Sequence, residues 1–266
     1  MTMHKQILYI LSLMGLFSFA ACTNEESPLL SDGTGEIRFS VVDTTEVEIT
    51  TRASYYFDVN KFNVSLNRGS EQIFSNKKYG DLAGKTFTYS ASPDYVLTAE
   101  SCTEAEAESA NQGWGQARAS GKESFAIVKD ESKTVTVNCG VVNSSVSVKF
   151  SDYITSMFTT YSIELHATDA TSRTFTFDKS NYTFKTAYFN VGESGRKVAY
   201  TVSLSSLENP YTGELTLEPS KSYNLSVKVE GEGTNTTVTL GITVDGTLLE
   251  EKILPEKINP YMKSLI

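Results

Sequence analysis

Catalysis needs groups that share protons, attack carbon or hold a metal, and this 266-residue sequence offers few of them. Of its two histidines, His4 sits near the N-terminus, and His166 falls beside Glu164 on the polar side of an alternating pattern. One histidine in the body of the chain is too few for a Cys/His nucleophile pair or a Cys/His metal site. No serine stands in a Gly-x-Ser-x-Gly turn, and no glycine-rich phosphate loop opens a helix. The sequence therefore reads as a non-enzyme with no cofactor and no metal. Two segments still carry binding chemistry. Glu104, Glu106 and Glu108 form an acidic run that reads as a solvated face, with calcium as the alternative. The only tryptophan, Trp114, sits between glycines within Asn111-Gln112-Gly113-Trp114-Gly115-Gln116. Its indole is either a stacking platform for a sugar, with Asn111, Gln112 and Gln116 supplying hydrogen bonds, or a plug over the end of its own domain.

The three cysteines have different settings. Lys5 precedes an uncharged run from Ile7 to Ala20, too short for a stable membrane span, which ends at Phe19-Ala20-Ala21-Cys22. That arrangement reads as a bacterial lipoprotein signal: residues 1–21 are removed and Cys22 is acylated. The lipid then supplies the membrane anchor. Cys102 and Cys139 are candidates for a disulfide, which an envelope location permits. Cys139 also continues the apolar face of Val135 and Val137, which a buried thiol explains equally well. The formal charge is −9, and loss of residues 1–21 makes the remainder one unit more acidic. No basic stripe is present, so nucleic acid is excluded as a partner.

Beyond the polar tether of residues 22–34, period-two alternation dominates. Ile37, Phe39 and Val41 alternate with their neighbours, as do Val146, Val148 and Phe150. Tyr161 to Ala167, Tyr223 to Val229 and Val238 to Val244 do the same. One dry and one wet face per strand predicts antiparallel sheets packed as sandwiches. Helix is limited to a capping box, Thr103 with Glu106, and a short turn that Asp152 would cap, carrying Ile154, Met157 and Phe158. Phe87–Tyr89 followed by Tyr95–Ala99 resembles Leu215–Leu217 followed by Tyr223–Val227, and Thr136–Val141 resembles Thr237–Ile242. The repeat predicts two related sandwiches, residues 35–142 and 143–252, with a tail at 253–266. The unequal offsets place an extra loop at Cys102–Ala126 in the first sandwich. Arg52 stands alone in a polar, Thr-rich stretch after the first strand, where a trypsin-like protease has access if the stretch is exposed.

Several short segments in this order resemble Bacteroidales surface lipoproteins of domain-of-unknown-function family 4493, which are fimbrillin-like. They are Gly35-Glu36-Ile37-Arg38-Phe39, Thr51-Arg52-Ala53, Tyr95-Val96-Leu97-Thr98-Ala99, Trp114-Gly115, Val135-Thr136-Val137-Asn138-Cys139 and Val146-Ser147-Val148-Lys149-Phe150. The acidic pair Glu25-Glu26 behind Cys22 resembles the signal that exports such lipoproteins to the outer face of the outer membrane. The resemblance implies an all-β protein of two tandem transthyretin-like antiparallel β-sandwich domains with very little helix. It implies a lipid-anchored role in adhesion or as a pilus subunit, cleaved at Arg52, with the strand of Ile37, Phe39 and Val41 replaced by one from a sister subunit. Leu254, Ile258, Tyr261 and Leu265 mark the C-terminal tail as a candidate donor. The rival reading is a surface protein that binds a host or dietary glycan through the Trp114 loop.

Overall fold

A computed structural model describes residues 32–45, 56–205, 209–230, 236–244 and 246–258. The alternating segments become strands whose inward residues are buried one by one. In β1 (Thr34–Asp43), Ile37, Phe39 and Val41 are buried while Glu36 and Arg38 are exposed. The chain continues through β2 (Asn63–Arg68), β3 (Glu71–Lys78), the single turn α1 (Tyr79–Leu82), β4 (Thr86–Ser90) and β5 (Ser92–Glu100). After α2 (Glu104–Ser109) come β6 (Ala119–Ile127) and β7 (Ser132–Val141). The strand order is β3-β2-β5-β6-β7-β1-β4, but β6 meets β7 only at Ala119 with Val141 and Ser120 with Gly140. The sheet therefore folds at that corner, and its two faces enclose one core from Ile37 to Cys139, filled by Phe62, Leu66, Tyr95, Leu97 and Val137 among others.

The second half repeats the plan. It comprises β8 (Ser144–Phe150), α3 (Asp152–Met157), β9 (Tyr161–Ala167), β10 (Ala170–Asp178), β11 (Ala187–Phe189), β12 (Arg196–Leu204) and β13 (Tyr211–Leu217). It ends with β14 (Ser222–Glu230), β15 (Thr236–Val244) and β16 (Thr247–Ile258). A sheet ordered β10-β9-β12-β13 and another ordered β11-β8-β14-β15-β16 share a second core, built on Ile163, Leu165, Phe177, Tyr200, Leu225 and Leu240. The protein is nearly all β, arranged as β-sandwiches.

Topology corrects the sequence repeat. In each half the first strand (β1, β8) pairs in parallel with a late strand (β7, β14) and antiparallel with a short one (β4, β11). The equivalences are thus β4 with β11, β5 with β12 and β7 with β14. The sequence matches had instead set β4, β5 and β7 against β13, β14 and β15. Generic in–out alternation, shared by every sandwich strand, made those segments look alike. Alternation is equally blind to strand direction, so the two parallel pairs were not visible in it. The longer loop of the first half is nevertheless real: residues 101–118 join β5 to β6, where residues 205–210 join β12 to β13.

One local reading also changes. α3 is capped by Ser151, whose Oγ accepts from the Ile154 amide at 3.5 Å, and Asp152 is the first helical residue. Pro93-Asp94 falls within β5, at a register shift between Ser92 and Tyr95. The capping box is present: the Thr103 amide donates to Glu106 Oε2 at 2.8 Å and the Glu106 amide to Thr103 Oγ1 at 3.2 Å.

The corner between β6 and β7 depends on a glycine. A Cβ on Gly121 would lie 2.1 Å from the Asn138 carbonyl oxygen and 2.9 Å from Val137 Cγ1. Gly121→Ala should therefore destabilise the protein by about 1–3 kcal/mol through overpacking. A lowered urea midpoint is expected; an unchanged midpoint would show that β6 is free to move away from β7.

Candidate functional site

The loop between β5 and β6 crosses from the first sandwich onto the second. The capping box starts α2, and its bonds to Thr103 hold the Glu106 carboxyl below the usual carboxylate range. One turn later Ala107 is buried and the chain reverses sharply. Asn111 and Gln112 take left-handed φ angles of 52° and 62°, and Gly113 and Gly115 take 88° and 84°. Non-glycine residues pay roughly 1–2 kcal/mol for that conformation, so tertiary contacts must hold the reversal. Asn111 Nδ2 donates to the Gly115 carbonyl at 2.7 Å, closing it from within.

Trp114 is held out by this reversal and packs against the second core. Its ring lies 4.9 Å from Phe177, edge to face, and 5.4 Å from Phe175, with Lys185 Nζ 5.3 Å from its centre. The Tyr188 amide in β11 donates to the Trp114 carbonyl at 2.9 Å. Gly115 has a second requirement besides its φ: a Cβ there would meet Arg173 Nη2 at 2.8 Å and Tyr188 Cβ at 2.9 Å. The indole is thus a plug, as one of the two sequence readings held, but it plugs the second sandwich rather than the end of its own.

Arg173, on β10, receives the loop. Its Nη1 donates to the Tyr188 carbonyl at 2.8 Å, and Nη2 donates to Gly113 O at 3.0 Å and Glu108 O at 3.2 Å. Nε also reaches Gly113 O, at 3.2 Å. Its guanidinium lies 4.6 Å over the Phe175 ring and pairs with Glu108 at 3.6 Å. Burial pulls the Arg173 guanidinium below the ordinary arginine range, while the Glu108 charge opposes that shift. It stays protonated, as arginine does in proteins. Arg196 pairs with the same Glu108 at 3.8 Å, and Asn190 Nδ2 donates to the Glu104 carbonyl at 3.1 Å. On the other side Arg118 bonds Glu100 at 2.8 Å and lies 3.5 Å from Glu104.

The acidic run is therefore a set of structural anchors rather than a purely solvated face. Glu106 caps, Glu104 meets Arg118, and Glu108 bridges Arg173 and Arg196. Among the described residues no group of three Asp, Glu, His or Cys side chains is arranged to hold a metal.

The four residues proposed from sequence as a ligand set do not converge. Asn111 is used inside the loop, Gln112 is exposed with a left-handed backbone, and Trp114 is packed. Gln116 lies beyond the reversal; its amide donates to Ala107 O at 3.0 Å, and its carbonyl accepts from Asn143 Nδ2 at 2.7 Å. Of the two readings left open for Cys102 and Cys139, bridge or buried thiol, the structure has the second: both are free and buried. Cys102 lies under the loop, 3.5 Å from Gln116 Nε2, whereas Cys139 lies in the first core, 3.6 Å from the Ala99 carbonyl. Burial, with a contribution from the Asp43 charge, pushes the Cys139 thiol up to about 12. Arg173, Arg196 and Tyr188 escaped sequence reasoning. An arginine preceding Thr-Phe-Thr-Phe was the only local sign, and its partners lie about sixty positions away.

Cys22 and Arg52 lie outside the described residues. The described residues on either side of Arg52, Thr45 and Phe57, both bond to Asp43. Asp43 Oδ1 accepts from the Thr45 amide at 2.9 Å, and Oδ2 accepts from the Phe57 amide at 3.3 Å.

Residues 33–260 match the family model described as Domain of unknown function (DUF4493). No curated protein matches the chain. Among solved structures, it is similar to the fimbrial anchor protein Mfa2 from Porphyromonas gingivalis, at 11% identity and a TM-score of 0.44, over 83% of this chain and 100% of that one. It is also similar to a candidate adhesin from Bacteroides ovatus, at 11% identity and a TM-score of 0.45, over 84% and 95%. A candidate polysaccharide-binding protein from Bacteroides thetaiotaomicron VPI-5482 aligns at 9% identity and a TM-score of 0.43, over 85% and 100%. At these identities and TM-scores, function has to be argued from the residues of this chain.

Two outcomes follow from the site. Arg173→Met keeps the side-chain length but leaves the Gly113, Glu108 and Tyr188 carbonyls without their charged donor. It should cost about 1.5–3 kcal/mol, the range for hydrogen bonds to a charged group. A lower melting temperature, with near-ultraviolet changes from a loosened Trp114, is expected; wild-type values for both would remove the anchor role. The Cys139 thiol, protonated and enclosed, should resist a thiol reagent at pH 8 until the protein unfolds. Modification at the rate of a free thiol would place it outside the core.

Proposed function

The chain belongs to the DUF4493 family, and we propose that this member is a lipid-anchored outer-membrane surface protein acting in adhesion as a fimbrillin-like subunit. It is a non-enzyme, exported and held by acyl chains on Cys22 until cleavage at Arg52 detaches residues 22–52, lipid and β1 included, and lets the remaining chain join sister subunits by strand exchange. The observation that carries this reading is the position of β1. It is an inner strand, paired in parallel with β7 from Glu36 with Ser132 to Asp43 with Cys139, and antiparallel with β4 from Thr34 with Ser90 to Arg38 with Thr86. A cut at Arg52 would sever the link between β1 and the rest of the fold. Departure of β1 would then open a groove with unpaired backbone on both walls, the situation strand addition satisfies.

The energetics favour exchange over simple loss. Ile37, Phe39 and Val41 are each at most 6% exposed, so each contributes about 1.5–3 kcal/mol of burial that an incoming strand must replace. The incoming strand must alternate apolar and polar residues and run parallel to β7. The C-terminal tail named from sequence is a poor match: Leu254 and Ile258 fall in β16, which already pairs with β15, and Leu254 and Ile258 would face the opposite way from Tyr261 and Leu265 in one strand. The lipid assignment is supported by Lys5, the short apolar run and the Ala-Ala-Cys boundary at Cys22.

The test uses the full chain expressed in a bacterium that processes lipoproteins. Before any cut at Arg52, mass spectrometry should find an acylated Cys22 at the N-terminus, and Cys22→Ser should move the protein out of the membrane fraction. Brief treatment with an arginine-specific protease should cut at Arg52 and yield multimers that survive warm detergent. Arg52→Ala should block both cut and multimers. A cleaved chain that stays monomeric sinks the assembly reading, and an unacylated N-terminus sinks the anchoring.

A further inference from the structure

A cleft of about 700 Å³ lies at the end of the first sandwich, where the chain enters β2 and the β5–β6 loop returns. Its walls are Tyr56, Phe57, Asp58, Lys61, Ser101 and Gln116. Its size is within the range of about 300–1,000 Å³ found for small-molecule sites. Tyr56 is 84% exposed, an unusual place for so large a ring, and its hydroxyl has no partner among the described residues. Phe57 is braced behind it, edge to face on the buried Phe62 at 6.1 Å.

The polar groups are of mixed type and cancel in charge. Asp58 and Lys61 face each other at 3.5 Å, both substantially exposed, so each retains bonding capacity toward a ligand. The Gln116 side-chain oxygen has no partner among the described residues, while its Nε2 has only the weak contact with Cys102 Sγ. An amide, a carboxylate, an ammonium and a phenol together offer donors and acceptors without net charge. A ligand that matches them has hydroxyls in several directions, an apolar C–H face for the tyrosine ring and no charge of its own. The negative charge of the whole chain weighs further against an anion.

The walls are held in place before any ligand arrives. The Phe57 amide is bonded to Asp43, the Asp58 side chain accepts from the Asn60 amide at 3.1 Å, and the Gln116 backbone is bonded at both its amide and its carbonyl. Such preorganisation lowers the ordering cost of binding. We propose that this cleft is a binding site for a neutral saccharide, with Tyr56 stacking on a sugar ring and Asp58, Lys61 and Gln116 reading its hydroxyls. The site goes beyond strand exchange and does not depend on it, and it is separate from the packed Trp114.

The test is native affinity electrophoresis of the uncut Arg52→Ala chain, which keeps assembly out of the result. Gels contain starch, galactomannan, xylan or, as the charged comparison, polygalacturonate. At least one neutral polysaccharide should retard the protein. Tyr56→Ala should weaken that retardation at least tenfold, whereas Tyr56→Phe should keep most of it. Gln116→Ala should weaken it to a lesser degree, giving a second variant that leaves Tyr56 in place. Equal melting temperatures would show that the variants remain folded. Migration unchanged in all three neutral gels, retardation only by polygalacturonate, or undiminished retardation of Tyr56→Ala would overturn the proposal.

Discussion

The contact between the two halves of this protein is centred on one guanidinium. Arg173 reaches from β10 to the backbone of a loop that belongs to the other sandwich and to the backbone of β11 in its own. Its carbonyl partners are groups that water would otherwise have to satisfy. The strained reversal at Asn111 and Gln112, the seat of Trp114 and the close approach of Gly115 all presuppose that grip. A half-buried arginine without Glu108 and those carbonyls would be costly, and the loop without Arg173 would lose its fixed shape. The two sandwiches consequently meet through a built contact of charge-assisted bonds and aromatic packing, not through a bare linker.

This contact also accounts for how the acidic run and the tryptophan came to look like ligand-binding residues. Both are polar or aromatic groups on a long loop over a rigid scaffold, which is where binding residues concentrate. Here the partner they meet is internal. What is left for outside contacts is different: the inner strand β1 with its tie at Asp43, and the mixed cleft beside Tyr56. Asp43 lies between them, bonding Thr45 on one side and Phe57 on the other. The exit from β1 and the floor of the cleft therefore share one carboxylate.

The sequence disclosed the fold class because alternation at Ile37-Phe39-Val41 or Tyr161–Ala167 maps directly onto burial in a strand. It disclosed the Thr103–Glu106 cap because that motif is local. Strand order was hidden, since every sandwich strand repeats the same pattern. Matching Tyr95–Ala99 to Tyr223–Val227 therefore joined strands with different partners. The receptor for the Trp114 loop was hidden for a related reason: Arg173 and Gly113 are distant in sequence, and only the packing of two sheets brings them within hydrogen-bond reach. The thiols were ambiguous at Cys139, where apolar alternation and disulfide spacing predict the same residue, and burial resolves them.

The account stands most directly on whether the first half is fastened to the second through the Trp114 loop. Native-state hydrogen exchange at the Tyr188 amide, which donates to the Trp114 carbonyl, measures that fastening without any substitution. A protected amide, opening only with the free energy of core strand amides such as Leu165, is the predicted result. Exchange at the rate of an exposed turn would mean that the loop lifts freely from the second sandwich, and would contradict the account.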